Sequence, residues 1–358
     1  MSTSFLDLDK IAEARPAHLD QVLEAVRVFQ AGMTGGFAAR ARLQEAFTTS
    51  DFPTLLGRGL DVELIDRYRA YTPDWTGIAD TYTVPDFKPK KLRDLFGLHD
   101  FDPVAEGEEY KAAALSETEY EIRAEKTGRV FGLTWELNLN QDWDQLNRLP
   151  QRLADAARRT EDKQVFGALL DPAGGPSKTF FTGDAAPTQL PLTAENLQKA
   201  LEGLSLRRAY DGELADTSRM VLVVHPALRF QAERIVNAQT IEVTDGKTKT
   251  TEPNPFRGMV TILAPQALAR YDKGANAATT WFLLPAPGST TPALAKVALQ
   301  GHENPDIRVK NDQGSAVGGG AISPAEGSFG DDTIWYRGRH VTGAAALMPY
   351  AVYASTGK

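Results

Sequence analysis

Cysteine is absent from this chain of 358 residues. That removes disulfides, thiolate nucleophiles, Cys-ligated zinc and iron–sulfur clusters together. No run approaches the ~20 apolar residues of a membrane-spanning helix. The opening segment, Met1 to Lys10, lacks the basic stretch and apolar run of a signal peptide, so a cytoplasm-like setting is expected. Positive charge is in deficit as well: 39 Lys and Arg face 47 Asp and Glu, for a net charge of −8. Such a balance argues against a surface built to grip phosphates, though a local basic patch stays open. What remains is ordinary for a folded protein, 42% hydrophobic and 24% charged, and long enough for two or three domains.

Motifs that carry chemistry are missing too. Asp245-Gly-Lys-Thr248 looks like the end of a phosphate-binding loop, but Ile241 stands where that loop needs its first glycine, so an exposed hairpin turn is expected. His302-Glu303 has Asp306, not histidine, at the second ligand position of a metalloprotease helix, and Pro305 would break such a helix. His225 precedes Pro226 at the end of an apolar strand, which suits capping or packing better than catalysis. Gly318-Gly-Gly320 follows no apolar strand and reads as a linker. No catalytic, cofactor-binding or metal-ligating residue is assigned, and no cofactor is expected.

The positive signal lies in "GEEYKAAALSETEYEIRAEKTGRVFGLTWE", residues 107–136, which alternates with period two. Tyr110, Ala112, Ala114, Tyr120, Ile122 and Ala124 share one parity. Charged residues fill the other. Beyond Gly128 the apolar parity flips to Phe131, Leu133 and Trp135. Period two means an extended strand with one inner face, and a flip beside a glycine suggests a bulge or turn. Residues 76–132 therefore read as a long charged hairpin, with Tyr82, Val84 and Phe87 on an outgoing limb that Pro85 and Pro89 mark as an edge. A two-stranded ribbon is marginal alone in water, so something else must cover it. Its charges are polarised: Lys88, Lys90, Lys91 and Arg93 lie on the outgoing limb, and Asp100, Asp102, Glu106, Glu108 and Glu109 at the tip. These nine residues are the candidate contacts between subunits.

The rest divides by pattern. Leu19, Val22, Leu23, Val26 and Phe29 predict a helix in a protruding arm over 1–50, interrupted at Gly35-Gly36 and resumed from Ala38 to Phe47. Leu60, Leu64, Ile65 and Tyr68 predict the next helix. Leu146, Leu149, Leu153, Ala156 and Ala157 predict a long arginine-rich helix, with Pro150 tolerated in its first turn. A mixed segment follows, with helices at 196–208 and 227–236 and strands at Met220–Val224, "GMVTILAP", "TTWFLLPA" and "ALAKVALQ". A final strand pair is expected from "TIWYRGRHVTG" and "LMPYAVYAS".

This order of a helical arm, "SDFPTLLG", a charged hairpin ending in "TWE", "LNRLPQRLADAARRTED", a mixed domain and a closing "WYRGRHVTG…YAVYAS" resembles the major capsid proteins of tailed phages. The resemblance covers nearly the whole chain from about Thr48. It implies an α+β, Hong Kong 97-like fold: an N-terminal arm (1–50), a peripheral domain (51–75, 133–178 and 329–358) with a long spine helix, an extended loop (76–132) and an axial domain (179–328). It implies a structural, non-enzymatic protein. Copies would assemble as pentamers and hexamers into an icosahedral head, made in the host cytoplasm, around double-stranded DNA that is enclosed without specific binding. Portal and scaffolding or decoration proteins would be partners, and membranes would not. Some relatives crosslink a loop lysine to a C-terminal asparagine with help from a glutamate. Lys111 and Lys126 are available here, but residues 331–358 contain neither asparagine nor glutamate, so non-covalent contacts are expected. The arm is too short for the cleaved scaffolding segment of other relatives, which implies a separate scaffold or none. An encapsulin-type cargo shell shares the implied fold. A soluble α+β enzyme is the reading from a different class, and a pocket with perturbed acids or histidines would mark it.

Overall fold

Helix α1 (Leu8–Ala14) begins where the Asp7 carboxylate accepts from the Asp9 and Lys10 N–H groups, satisfying donors that a first turn leaves open. The computed structural model describes residues 6–47, 51–96, 116–134, 144–208, 214–245, 248–310, 317, 330 and 333–358. The chain divides into two units. One comprises 1–72, 125–159 and 301–341, and the other 73–124, 160–300 and 342–358.

In the first unit, α2 (Leu19–Thr34) and α3 (Phe37–Phe47) follow α1 and lead to α4 (Phe52–Ala70). The α2 stripe Val22, Val26 and Phe29 is fully buried, in one core with Leu43, Phe47, Leu56, Leu60 and Leu64. The arm expected from the sequence is thus folded into the body of its own unit. The reason lies in Gly59, where a Cβ would stand 2.7 Å from Val26 Cγ2, so α4 offers α2 a bare backbone to pack on. Strand β4 (Glu125–Thr134) and the first part of β12 (Thr333–Ala346) add Leu133, Ile334 and Tyr336 to this core. The long helix Leu149–Leu169 adds Leu149, Ala154 and Ala157 from its first half, while Arg148, Arg152 and Arg159 are exposed. Pro150 sits in its first turn, where a missing N–H costs nothing. Beside them β11 (Asp306–Val309) runs antiparallel to β12.

The second unit is built on a sheet whose central strands are buried on both faces. β5 (Met220–Val224), β8 (Val260–Leu263), β9 (Trp281–Pro285) and β13 (Tyr353–Ser355) form a sheet in the order β13-β9-β5-β8. Val221, Val223, Phe282 and Leu284 point into one core, with Val165, Phe166 and Leu169 of the long helix. Met220, Leu222, Val224, Trp281 and Leu283 point into another, with Leu197, Leu201, Ala232 and Val236 of helices Ala194–Ser205 and Arg229–Asn237. Two cores on one sheet explain why "MVLVV" and "WFLLP" run apolar without alternation. A second sheet joins β1 (Asp80–Val84), parallel to β10 (Leu294–Leu299), with β10 antiparallel to the last residues of β12. Two ribbons complete the unit: β2 (Lys90–Phe96) with β3 (Ser116–Ile122), and β6 (Thr240–Asp245) with β7 (Thr248–Pro253).

Three expectations are corrected. The charged hairpin is shorter than 76–132, because β1 pairs with β10 rather than with β3. Pro85 and Pro89 stop β1 from running on, since neither can donate to a ladder. The closing strands do not pair with each other: β12 takes β10 and β11, while β13 takes β9. The parity flip falls at Glu125-Lys126, between buried Ala124 and half-buried Thr127, rather than beyond Gly128. Gly128 serves a close approach instead, since a Cβ there would lie 2.6 Å from the Gly338 carbonyl oxygen.

Candidate assembly surfaces

Ribbon β2–β3 keeps its register from Lys90↔Ile122 to Phe96↔Ser116. Directly opposed residues of an antiparallel pair share a face. Leu92 stands opposite Tyr120 on one face, and Lys91 opposite Glu121 and Arg93 opposite Glu119 on the other. Lys91 forms an ion pair with Glu119, and Lys90 one with Asp86 at 3.1 Å. The Lys90 hydrogen bond, helped by the Lys88 N–H, draws the Asp86 carboxyl below its ordinary range. Exposed pairs of this kind contribute little to stability, so their main effect is on register.

The ribbon is fixed at its base. Ile122 and Ala124 are buried, and a side chain at Gly343 would collide with the Arg123 carbonyl oxygen, so the base rests on bare β12 backbone. No third strand pairs with the ribbon among the described residues. Of the sequence candidates, Lys90 and Lys91 are brought to acids of their own chain. Asp100, Asp102, Glu106, Glu108 and Glu109 lie outside the described residues. A second cationic surface is the stripe Arg148, Arg152 and Arg159, spaced to share one exposed side of the long helix. Arg158 is turned inward, donating to the Tyr68 carbonyl at 2.9 Å with its guanidinium 3.7 Å from the Tyr68 ring centre.

Buried charge is where sequence reading fell short. Glu161 and Lys296 are both buried, with Nζ 3.4 Å from Oε1. The Trp75 indole N–H donates to Oε2 at 2.9 Å, and Lys296 Nζ lies 5.4 Å from the Trp75 ring centre. A lysine in the middle of "ALAKVALQ" was the available signal. Asp61 on α4 was also missed. Its carboxylate accepts from the Ile307 N–H at 2.7 Å, beside Asp306, which Arg339 grips at 2.6 and 2.9 Å. Burial, with Asp306 nearby, pushes the Asp61 pKa up to about 6, while the Ile307 bond and Arg308 act in the opposite direction. A raised carboxyl pKa means that stability present below pH ~4 is lost as pH rises through about 6. Asp61→Asn keeps an acceptor for Ile307. It is expected to be more stable than the parent at pH 7.5, by on the order of 1–3 kcal/mol, and equal to it near pH 4. Urea unfolding of unassembled subunits at both pH values checks this; a gap that does not close on acidification counts against the buried charge as its cause.

Among the described residues no group of three or more His, Cys, Asp or Glu could hold a metal ion, and no helix is long and apolar enough to cross a membrane. The sequence profile of the phage capsid protein family matches residues 117–355, from β3 to the end of β13. The chain belongs to that family. This phage capsid protein is therefore a structural, shell-forming protein, as its α+β elements and the ordered motifs of its sequence implied. Solved structures similar to it include the mature capsid of bacteriophage PhiM1, at 12% identity over 80% of this chain and 87% of that one, with a TM-score of 0.46. Gordonia phage Cozz is similar at 14% identity over 78% and 84%, with a TM-score of 0.44. The SrpI encapsulin of Synechococcus elongatus is similar at 13% identity over 80% and 88%, with a TM-score of 0.42. No curated protein matches the chain in sequence.

Proposed function

We propose that this capsid protein forms the phage head by laying ribbon β2–β3 across a neighbouring copy. The observation that carries the reading is a ribbon with one charged face, seated at its base and paired with no third strand among the described residues. A ribbon of that kind gains its stability from a partner. The Hong Kong 97-like extended loop then corresponds to residues 90–122. The long helix with the segments around it forms the peripheral domain, and the sheet β13-β9-β5-β8 with its helices the axial domain. Adhesion comes from many weak contacts repeated over a symmetric shell. It is non-covalent, since the chain has no cysteine and residues 331–358 offer no asparagine. The net charge of −8 suits a container that holds double-stranded DNA without adhering to it. Portal and scaffolding or decoration proteins complete the head in the host cytoplasm.

Part of the adhesion is electrostatic. The acidic tip residues Glu106, Glu108 and Glu109, with Asp100 and Asp102, meet a basic surface of the next copy, either the limb with Lys88 and Arg93 or the arginine stripe of the long helix. Reversing Glu106, Glu108 and Glu109 to lysine should leave the subunit folded and impair closed-shell formation, most at low salt where screening is least. Negative-stain microscopy across a salt series reads the result, and unaffected shells would remove the electrostatic part. Boiled particles should run as one monomer band, and a ladder would refute the non-covalent part.

A further inference from the structure

Strand β8 ends its sheet and pairs in parallel with β5, from Met220↔Val260 to Val223↔Leu263. In a parallel pair, alternate residues turn their backbone groups toward the neighbour. The bond from the Met220 N–H to the Met259 carbonyl sets the phase: Thr261 faces β5, and Val260 and Ile262 face outward. The Val260 N–H is taken by the Phe256 carbonyl at 3.1 Å. The Val260 carbonyl and both backbone groups of Ile262 have no backbone partner among the described residues. This open edge walls a groove of about 520 Å³, with Ile262 and Ala264 on one side and Arg229, Glu233 and Asn237 of the facing helix on the other. Arg229 and Glu233 pair at 2.9 Å, which leaves the groove without excess charge. Two exposed apolar side chains stand on the flanking elements, Phe230 at 74% and Met259 at 41%.

A few residues earlier, the same chain carries the complementary deficiency. Ribbon β6–β7 has no third strand among the described residues. In β6, Thr-Ile-Glu-Val-Thr-Asp, residues Ile241 and Val243 share a parity, the pattern of a half-buried strand, whereas β7 has no apolar parity. The ribbon is anchored at its root. The Asn254 amide donates to the Ile235, Val236 and Ala238 carbonyls at 2.7, 3.1 and 3.0 Å, closing the end of helix Arg229–Asn237. Its backbone N–H reaches the Gln239 carbonyl at 3.1 Å. Beyond that root Thr251, Glu252 and Pro253 are exposed.

We infer that β6 of one copy adds to the β8 edge of the next as a fifth strand of its sheet. The inference rests on the shell-forming reading. The occupant is a second copy because every copy carries one edge and one ribbon. Unlike patches on identical chains join head to tail, closing into a ring where the rotation allows. Main-chain bonds supply affinity, and alternate side chains in the groove supply register. A like-with-like contact of two β8 edges would leave the ribbon uncovered.

The absence of native cysteine makes the test free of background. Ile262→Cys, Ile241→Cys and Val243→Cys are made singly, and each ribbon change is also combined with Ile262→Cys. Particles are treated with a short bismaleimide. At least one double variant should give a ladder of covalent multimers, mixed single variants should give dimers only, and each single variant alone should give monomer. A cross-link in I262C alone would overturn the head-to-tail arrangement. Closed particles without cross-links in either double variant would overturn the inference and leave the shell-forming reading standing. Protein that never forms particles would overturn both. Independently, I241K/V243K should keep the circular dichroism of the parent subunit and raise the concentration needed for assembly by roughly tenfold or more; unchanged assembly would count against β6 as the inserted strand.

Discussion

Lys296→Met should destabilise the subunit by about 3–5 kcal/mol, because it removes the buried cation that stands 3.4 Å from the buried Glu161 carboxylate. A domain of ordinary stability has only ~5–15 kcal/mol in total, so the variant would sit near the edge of folding. The double variant K296M/E161Q should recover most of the loss. Glutamine removes the charge while keeping an acceptor for the Trp75 N–H, which now lies 2.9 Å from the Glu161 carboxylate. Urea unfolding of unassembled subunits measures both. If K296M alone stays within ~1 kcal/mol of the parent, the pair is not the buried, mutually dependent unit that its geometry indicates.

Phe29→Ala should cost about 3–5 kcal/mol, the usual effect of emptying a buried aromatic site. Phe29 is fully buried in the core that α2 shares with α4. The size of the effect decides whether residues 8–47 belong to the body of the subunit or hang from it. A true arm would lose little, and proteolysis would trim it equally in parent and variant. The matched control is Phe37→Ala, where the residue is 86% exposed and the change should stay within ~0.5 kcal/mol. Equal, small losses at both positions would return the segment to the status of an arm.

Much of this was legible from period alone. The α2 stripe, the alternation of β3 and the unbroken runs of β5 and β9 are local patterns that burial imposes directly on sequence. Partner choice was not legible. Nothing in Asp80–Val84 says that it will lie beside β10, more than two hundred residues away, because pairing between distant strands is decided by the packing of the whole unit. The same holds for β13, which joins β9 although β12 is its neighbour in sequence. Glycine meanings were ambiguous for a similar reason: Gly128 suggested a bulge and Gly59 suggested nothing, yet both are points where another segment comes close. Of the candidate site, charge polarity along the ribbon could be read from the sequence, but the capture of Lys90 and Lys91 by their own chain required coordinates.

The doubly covered sheet of the second unit bears on how such a chain can vary. Every residue of β5 and of β9 is buried, so neither strand has a side free to drift. In β4 most residues are exposed and only Leu133 is buried. A saturation library would therefore show a solid intolerant block across 220–224 and 281–285 and a sparse comb across 125–134. Related chains could exchange most of their surface while carrying that block almost unchanged, because it has no outward position on which substitutions could accumulate.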